Sequence, residues 1–190
     1  MADRSRILVV AATDRELATA DGWRTLVCGV GPVDAGAATA AAIAVDRPAA
    51  IVHVGICGAR RRRALAPATI VIGTESRYHD LGVPERFAPS RLTGDPRLVE
   101  AARRACPGAL VLAIGTSGRI GGTLDTDVEA MEGFAVLRAA QLAGVPAIEV
   151  RAVSNEIEEE DRARWHFAAA FAAIVAATPR LVEEVALCVN

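Results

Sequence analysis

The chain has 190 residues and a formal net charge of -2, which argues against nucleic acid as its main partner. Its composition is 52% hydrophobic but only 4% aromatic, so the core must be built mainly from Ala, Val, Leu and Ile. That length fits one domain spanning residues 1–190, large enough to bury a substantial core.

Cys28, Cys57, Cys106 and Cys188 are scattered, with no CxxC pair and no histidine at ligand spacing. The pattern argues against a metal site and against a disulfide framework. Arg4 and Arg6 lead straight into a short strand-like run, unlike a signal peptide. The apolar run from Phe167 to Ala177 is too short to span a bilayer. A cytoplasmic chain with no membrane partner is the expectation.

In chain order, Arg6 to Ala12 (RILVVAA) is a short continuous apolar run, the pattern of a buried strand. Arg24 to Val30 is a second run, closed by Gly31-Pro32, and Val33 to Val45 is an alanine-rich helix ended by Pro48. Ala50 to Val54 is another strand, running into Gly55-Ile56-Cys57-Gly58, and Ala68 to Gly73 continues the series. Thr74 to Gly94 is polar and rich in turn residues. Asp95 and Pro96 open a helix reaching about Ala105, Asp at the cap and Pro at the first position. Leu110 to Ile114 reads as a strand and Gly115 to Thr123 as a glycine-rich loop.

Val128 to Asn155 reads as a helix, a Gly144-Val145-Pro146 turn and a strand ending in Ser154-Asn155. Helical spacing puts Glu132 among Val128, Ala135, Val136 and Ala139, an apolar stripe on which a carboxylate needs a partner or a task. Residues from Asp161 onward read as a terminal helix, with Pro179 a point of interruption. Strands alternating with helices imply a three-layer α/β/α sandwich around a central mixed, largely parallel sheet.

Each buried run ends in a polar or glycine-bearing loop, and in such sheets these loops converge on one pocket. The GxGxxG, GxxxxGK[ST] and GxSxG signatures are all absent. Glu16, Glu132 and Asn155 form the most coherent set. Cleaving an N-glycosidic bond needs a group to place or deprotonate water, one to bind the ribose diol and a donor facing the departing base. Carboxylates accept hydrogen bonds and suit the first two tasks, and an Asn amide suits the third. The same residues also admit plain roles. Glu16 fits a solvent-facing helix start, Glu132 a structural acid, Asn155 a cap, and Arg151 an ion pair with Glu149 on its own strand face.

The segments RILVVAATDREL, CGVGPVDAGAATA, VGICGA, SRYHDLG, VEAMEGFA and VRAVSN occur in an order and spacing that resemble the purine nucleoside phosphorylase and nucleosidase superfamily. Within it, MEGFA, RAVSN and DRARWHF make the chain most similar to the futalosine hydrolase family of an alternative menaquinone pathway. The resemblance implies release of hypoxanthine from futalosine by water, without metal or cofactor, by a homo-oligomer of two or more subunits.

By that resemblance, Glu16 matches the water-activating glutamate, Glu132 the ribose-diol glutamate beside the sugar-contacting Met131, and Arg151 an arginine near the nucleophile. Asn155 faces the purine where adenine-specific nucleosidases carry Asp, which favours a 6-oxopurine. Ile56 replaces a small polar residue and offers phosphate no contact. Arg119 stands where the family often has an aromatic residue, with the base or the 5′ substituent's carboxylate as its ligand. Gly55, Ile120, Ser154 and Trp165 complete the implied substrate-contacting set, Trp165 as a wall at the 5′ end or as a core residue. The alternatives are a 5′-methylthioadenosine/S-adenosylhomocysteine nucleosidase, a phosphorylase, and a non-catalytic nucleoside-binding protein.

Overall fold

The computed structural model describes residues 3–189. Continuous apolar runs form β1 (Ile7–Ala11) and open β3 (Ala50–Ala59), whereas β2 (Arg24–Val27), expected as such a run, alternates half-buried and exposed residues at the sheet edge. They are followed by β4 (Ile70–Tyr78), β5 (Arg91–Thr93), β6 (Leu110–Thr116), β7 (Val128–Ala130) and β8 (Ala147–Glu156). The helices are α1 (Pro32–Val45), α2 (Pro96–Ala105), α3 (Gly133–Leu142) and α4 (Phe167–Val189).

Alternation along β1 separates two helical layers, as period-two strands require. Ile7, Val9 and Ala11 pack with Leu98 and Ala102 of α2 and with Ile174 and Leu181 of α4. Leu8 and Val10 pack instead with Ala35 and Ile43 of α1 and with Phe134 and Leu137 of α3. The expected α/β/α sandwich is therefore present, and five of the eight strand pairings are parallel.

The sheet also closes on itself. β3 pairs with β8, β8 with β4, β4 with β6, β6 with β7, and β7 returns to β3. Val71, Ile114, Val128 and Val153 pack together within this ring.

Several local expectations are corrected. Gly55 to Gly58 is not a loop, because β3 continues through it, paired with β8 as far as Ala59. Thr74 to Tyr78 lies in β4, and Arg91–Thr93 pairs with that strand, so half-buried polar residues concealed two strand segments. Val128 starts no helix. It belongs to β7, and α3 begins at Gly133 with Glu132 as its N-cap. α4 runs past Pro179 rather than stopping there, and a separate turn at Arg162–Arg164 precedes it. The α2 start holds, with the Asp95 carboxylate accepting from the amides of Arg97 at 2.9 Å and Leu98 at 3.4 Å. No described helix is long and apolar enough to cross a membrane.

Candidate active site

The ends of β1, β3 and β8 and the start of α3 surround a cavity of about 410 Å³. Glu16, Ile56, Met131, Glu132, Arg151, Ser154, Asn155 and Trp165 all line it, as does Ile120. Residues 139 positions apart in the chain are thus brought to one wall.

Glu16 follows β1 in a short turn and is buried. Its Oε2 accepts from the Thr13 amide and hydroxyl, both at 2.9 Å, and its Oε1 accepts from the Ile56 amide at 3.1 Å. The carboxylate is fixed from both sides, and the Ile56 amide is already used by it.

Glu132 makes no side-chain cap for α3, although it occupies the cap position. Its carboxylate turns away from the helix. Oε1 accepts from the Gly31 amide at 3.1 Å, and Oε2 accepts from Arg151 Nη2 at 3.3 Å.

Arg151 is fully buried in the middle of β8. It donates from Nε to Glu149 Oε1 at 2.8 Å, from Nη2 to Glu132 and His53, and from Nη1 to the Ile56 carbonyl at 3.5 Å. Burial opposes the guanidinium charge, but Glu149, Glu132 and Glu16 outweigh it and hold Arg151 more firmly protonated than usual. Burial pushes the Glu149 carboxyl above its ordinary range, with Arg151 opposing that push. His53 is buried with Nδ1 3.0 Å from the Val10 carbonyl, and it also touches Arg151.

Asn155 follows a bulge in β8. Val153 pairs with Cys57 and Asn155 with Gly58, leaving Ser154 as the extra residue, so both polar side chains reach the cavity. Asn155 Nδ2 donates to the Glu156 carbonyl at 2.9 Å, and Oδ1 accepts from Ser154 Oγ at 2.7 Å. The reverse orientation would set two carbonyl oxygens together, so the amide is oriented and its second N–H is free to donate.

Two expected contact residues lie outside the lining. Gly55 does not line the cavity. A Cβ there would stand 2.2 Å from Arg151 Nη1 and 2.9 Å from Glu16 Oε1, so its role is to leave room for both side chains. Arg119 is exposed and is not a lining residue. Glu129 gathers its loop by accepting from the amides of Gly121 and Thr123 and from the Thr123 hydroxyl, and in that course Ile120 rather than Arg119 reaches the cavity.

The sequence reading passed over Phe167, Phe171 and Arg162, which line the cavity beside Trp165. Three of the chain's seven aromatic residues fall between positions 165 and 171, a concentration that was the available signal. Trp165 and Phe167 have ring centroids 5.3 Å apart, and the Arg162 guanidinium lies 5.7 Å from the Trp165 ring. Trp165 is therefore a wall residue, tied by its Nε1 to the Glu159 carbonyl at 2.9 Å. Cys57 also lines the cavity, with burial raising its thiol to about 12, which leaves it a neutral group there. Among the described residues, no group of three His, Cys, Asp or Glu is arranged to hold a metal ion.

The model of the phosphorylase superfamily matches residues 24–186. The futalosine hydrolase of Streptomyces coelicolor is 37% identical over 190 aligned residues, covering 85% of this chain and 79% of that protein. That of Thermus thermophilus is 29% identical over 189, covering 86% and 82%. Two solved structures share the fold. One is the native futalosine hydrolase of Helicobacter pylori, with a TM-score of 0.81 at 14% identity over 94% of this chain and 97% of that one. The other is the 5′-methylthioadenosine/S-adenosylhomocysteine nucleosidase of Neisseria meningitidis in complex with methylthio-immucillin-A, with a TM-score of 0.80 at 22% identity over 93% and 98%. With a family model spanning most of its length and a relative at 37% identity, this chain belongs to the phosphorylase superfamily.

Proposed function

We propose that this chain hydrolyses the N-glycosidic bond of futalosine, releasing hypoxanthine, with water as the nucleophile. The observation that carries the hydrolytic part is the state of Arg151. It is the cation beside Glu16 and Glu132, and it already serves Glu149 and Glu132. A phosphate dianion placed beside Glu16 and Glu132 would face two carboxylates whose adjacent cation, Arg151, is already shared with Glu149, whereas neutral water meets no such repulsion.

Glu16 is the general base. Held by three donors, it orients a water toward C1′ and takes its proton as the bond to the base breaks; the base leaves with the bonding electron pair and is protonated from solvent. Arg151 Nη1 stands beside Glu16 across the space that Gly55 clears, where it helps position that water. Glu132 accepts from the ribose diol with its fixed carboxylate, and Met131 packs against the sugar. Asn155 gives its free N–H to the 6-oxo group or N7 of hypoxanthine, a contact that needs no shifted pKa. Ser154 sets the amide's orientation.

The aromatic end of the cavity, with Arg162 at its side, suits a large 5′ substituent, and it replaces Arg119 in that role. Identity to the futalosine hydrolases supports this substrate over methylthioadenosine, since the likeness to methylthioadenosine nucleosidases is one of fold. Exposed Val30 and Ile120 on the lining, with exposed Val33 beside them, support association of the chain with further copies of itself. Four free cysteines suit the reducing cytoplasm.

Hypoxanthine release from futalosine by purified protein tests the reading. Glu16→Gln is expected to lower kcat/KM by about a hundredfold or more, and Glu132→Gln also strongly, with the fold intact by circular dichroism. Turnover near the unsubstituted level in either variant removes that residue from its assigned role.

A further inference from the structure

Beneath the cavity floor lies a second set of polar side chains that touches no substrate position. His53 and Glu149 are both essentially inaccessible, and both contact Arg151. Burial, then the Arg151 charge, hold the His53 imidazole well below its ordinary pKa, so it is neutral. The Val10 carbonyl beside Nδ1 can only accept, which places the proton on Nδ1 and leaves Nε2 a lone pair. That lone pair accepts one hydrogen of Arg151 Nη2, and the other hydrogen of Nη2 goes to Glu132. Glu149 meanwhile holds Nε with a second hydrogen bond at 2.8 Å.

We infer that His53 and Glu149 are positioning residues that fix the Arg151 plane so that its Nη2 holds the Glu132 carboxylate in place for the ribose diol. The inference rests on the proposed role of Glu132. Two glycines keep space for this arrangement. A Cβ at Gly133 would lie 2.0 Å from Glu149 Oε2, and one at Gly55 would lie 2.2 Å from Arg151 Nη1. Stability alone does not explain the set. A buried ion pair is a poor stabiliser compared with apolar side chains of the same volume, and Glu149 Oε2 is buried without a hydrogen-bond partner. A guanidinium is planar, so holding Nε and one face of Nη2 fixes the direction of the remaining Nη2 hydrogen.

The test compares futalosine with its 2′-deoxy analogue in the unsubstituted protein, His53→Asn, His53→Gln, Glu149→Gln and Glu132→Gln. In the unsubstituted protein the ribo compound is favoured in kcat/KM by about tenfold to a hundredfold, the worth of hydrogen bonds to a charged group. That ratio is expected to collapse in Glu132→Gln, and to fall severalfold in His53→Asn and Glu149→Gln. His53→Gln returns an acceptor to the Nε2 position and is expected to restore part of the ratio, a rescue that a packing role would not produce.

Nitrogen NMR of the Arg151 side chain reads the same arrangement without turnover. Its Nη2 hydrogens are expected to exchange slowly in the unsubstituted protein and in His53→Gln, and quickly in His53→Asn. If Glu132→Gln collapses the ratio but the His53 and Glu149 variants leave it unchanged, the inference is overturned and the diol role stands. If Glu132→Gln also leaves the ratio unchanged, the diol role fails and the inference with it.

Discussion

Arginines meet carboxylates in two very different places in this molecule. On the surface, Arg61 pairs with Glu156 at 2.6 Å, and Arg62 and Arg63 pair with Asp127 at 2.8 and 3.5 Å. These side chains are largely solvated, and pairs of that kind contribute little and are screened by salt. Under the cavity, Arg151 at 1% exposure is shared between Glu149 and Glu132 at 1% and 5%. The distances are alike and the physics is not. Buried pairs of that kind often return little stability relative to an apolar core, whereas losing one partner leaves the others uncompensated. The run Arg61 to Arg63 is a surface feature; the pair Glu149–Arg151 is more than the strand ion pair it resembled.

The largest test of this contrast is Arg151→Met. Leaving Glu149 and Glu132 buried without their cation is expected to destabilise the protein by about 3–5 kcal/mol and to abolish turnover. Adding Glu149→Leu is expected to recover a substantial part of the stability, measured by denaturant unfolding, while activity stays lost. Recovery of both together would mean that the charges serve the fold alone.

A smaller change concerns Asn155, at the edge of the same cavity with 9% exposure. Asn155→Asp removes the free amide donor, and is expected to lower release of hypoxanthine relative to adenine from matched nucleosides by at least about tenfold. Equal loss for both bases would remove Asn155 from base recognition. At the surface, Arg62→Ala should cost less than about 1 kcal/mol, and that cost should shrink further in high salt.

Much of this was legible in the chain itself. Apolar runs at β1 and β3 and the Asp95-Pro96 start of α2 carry strong local signals, and the structure keeps them. Glu16, Glu132 and Asn155 were recognisable as polar groups at strand and helix ends. Glu132 lines the cavity, but the argument from its helical neighbours was wrong in detail. It lies at the cap of α3 rather than along its apolar stripe, because Val128–Ala130 is recruited as a strand to close the sheet. That closure is a long-range pairing, which periodicity within a window does not encode. The exposed side of Arg119 and the inward side of Ile120 likewise depend on Glu129 folding the loop around itself. Phe167 and Phe171 fall in a run that reads only as part of a terminal helix. The turn at Arg162–Arg164 instead sets the start of α4 against the cavity.

The central claim is that a carboxylate-lined cavity whose buried Arg151 is already committed performs hydrolysis on a 6-oxopurine nucleoside bearing a large 5′ group. One measurement tests it most directly: base release from futalosine, inosine and 5′-methylthioadenosine, each with and without inorganic phosphate. The account predicts hypoxanthine from futalosine at the same rate in both conditions, with inosine and methylthioadenosine much poorer substrates. A rate that requires phosphate, or faster release of adenine from methylthioadenosine, would contradict it.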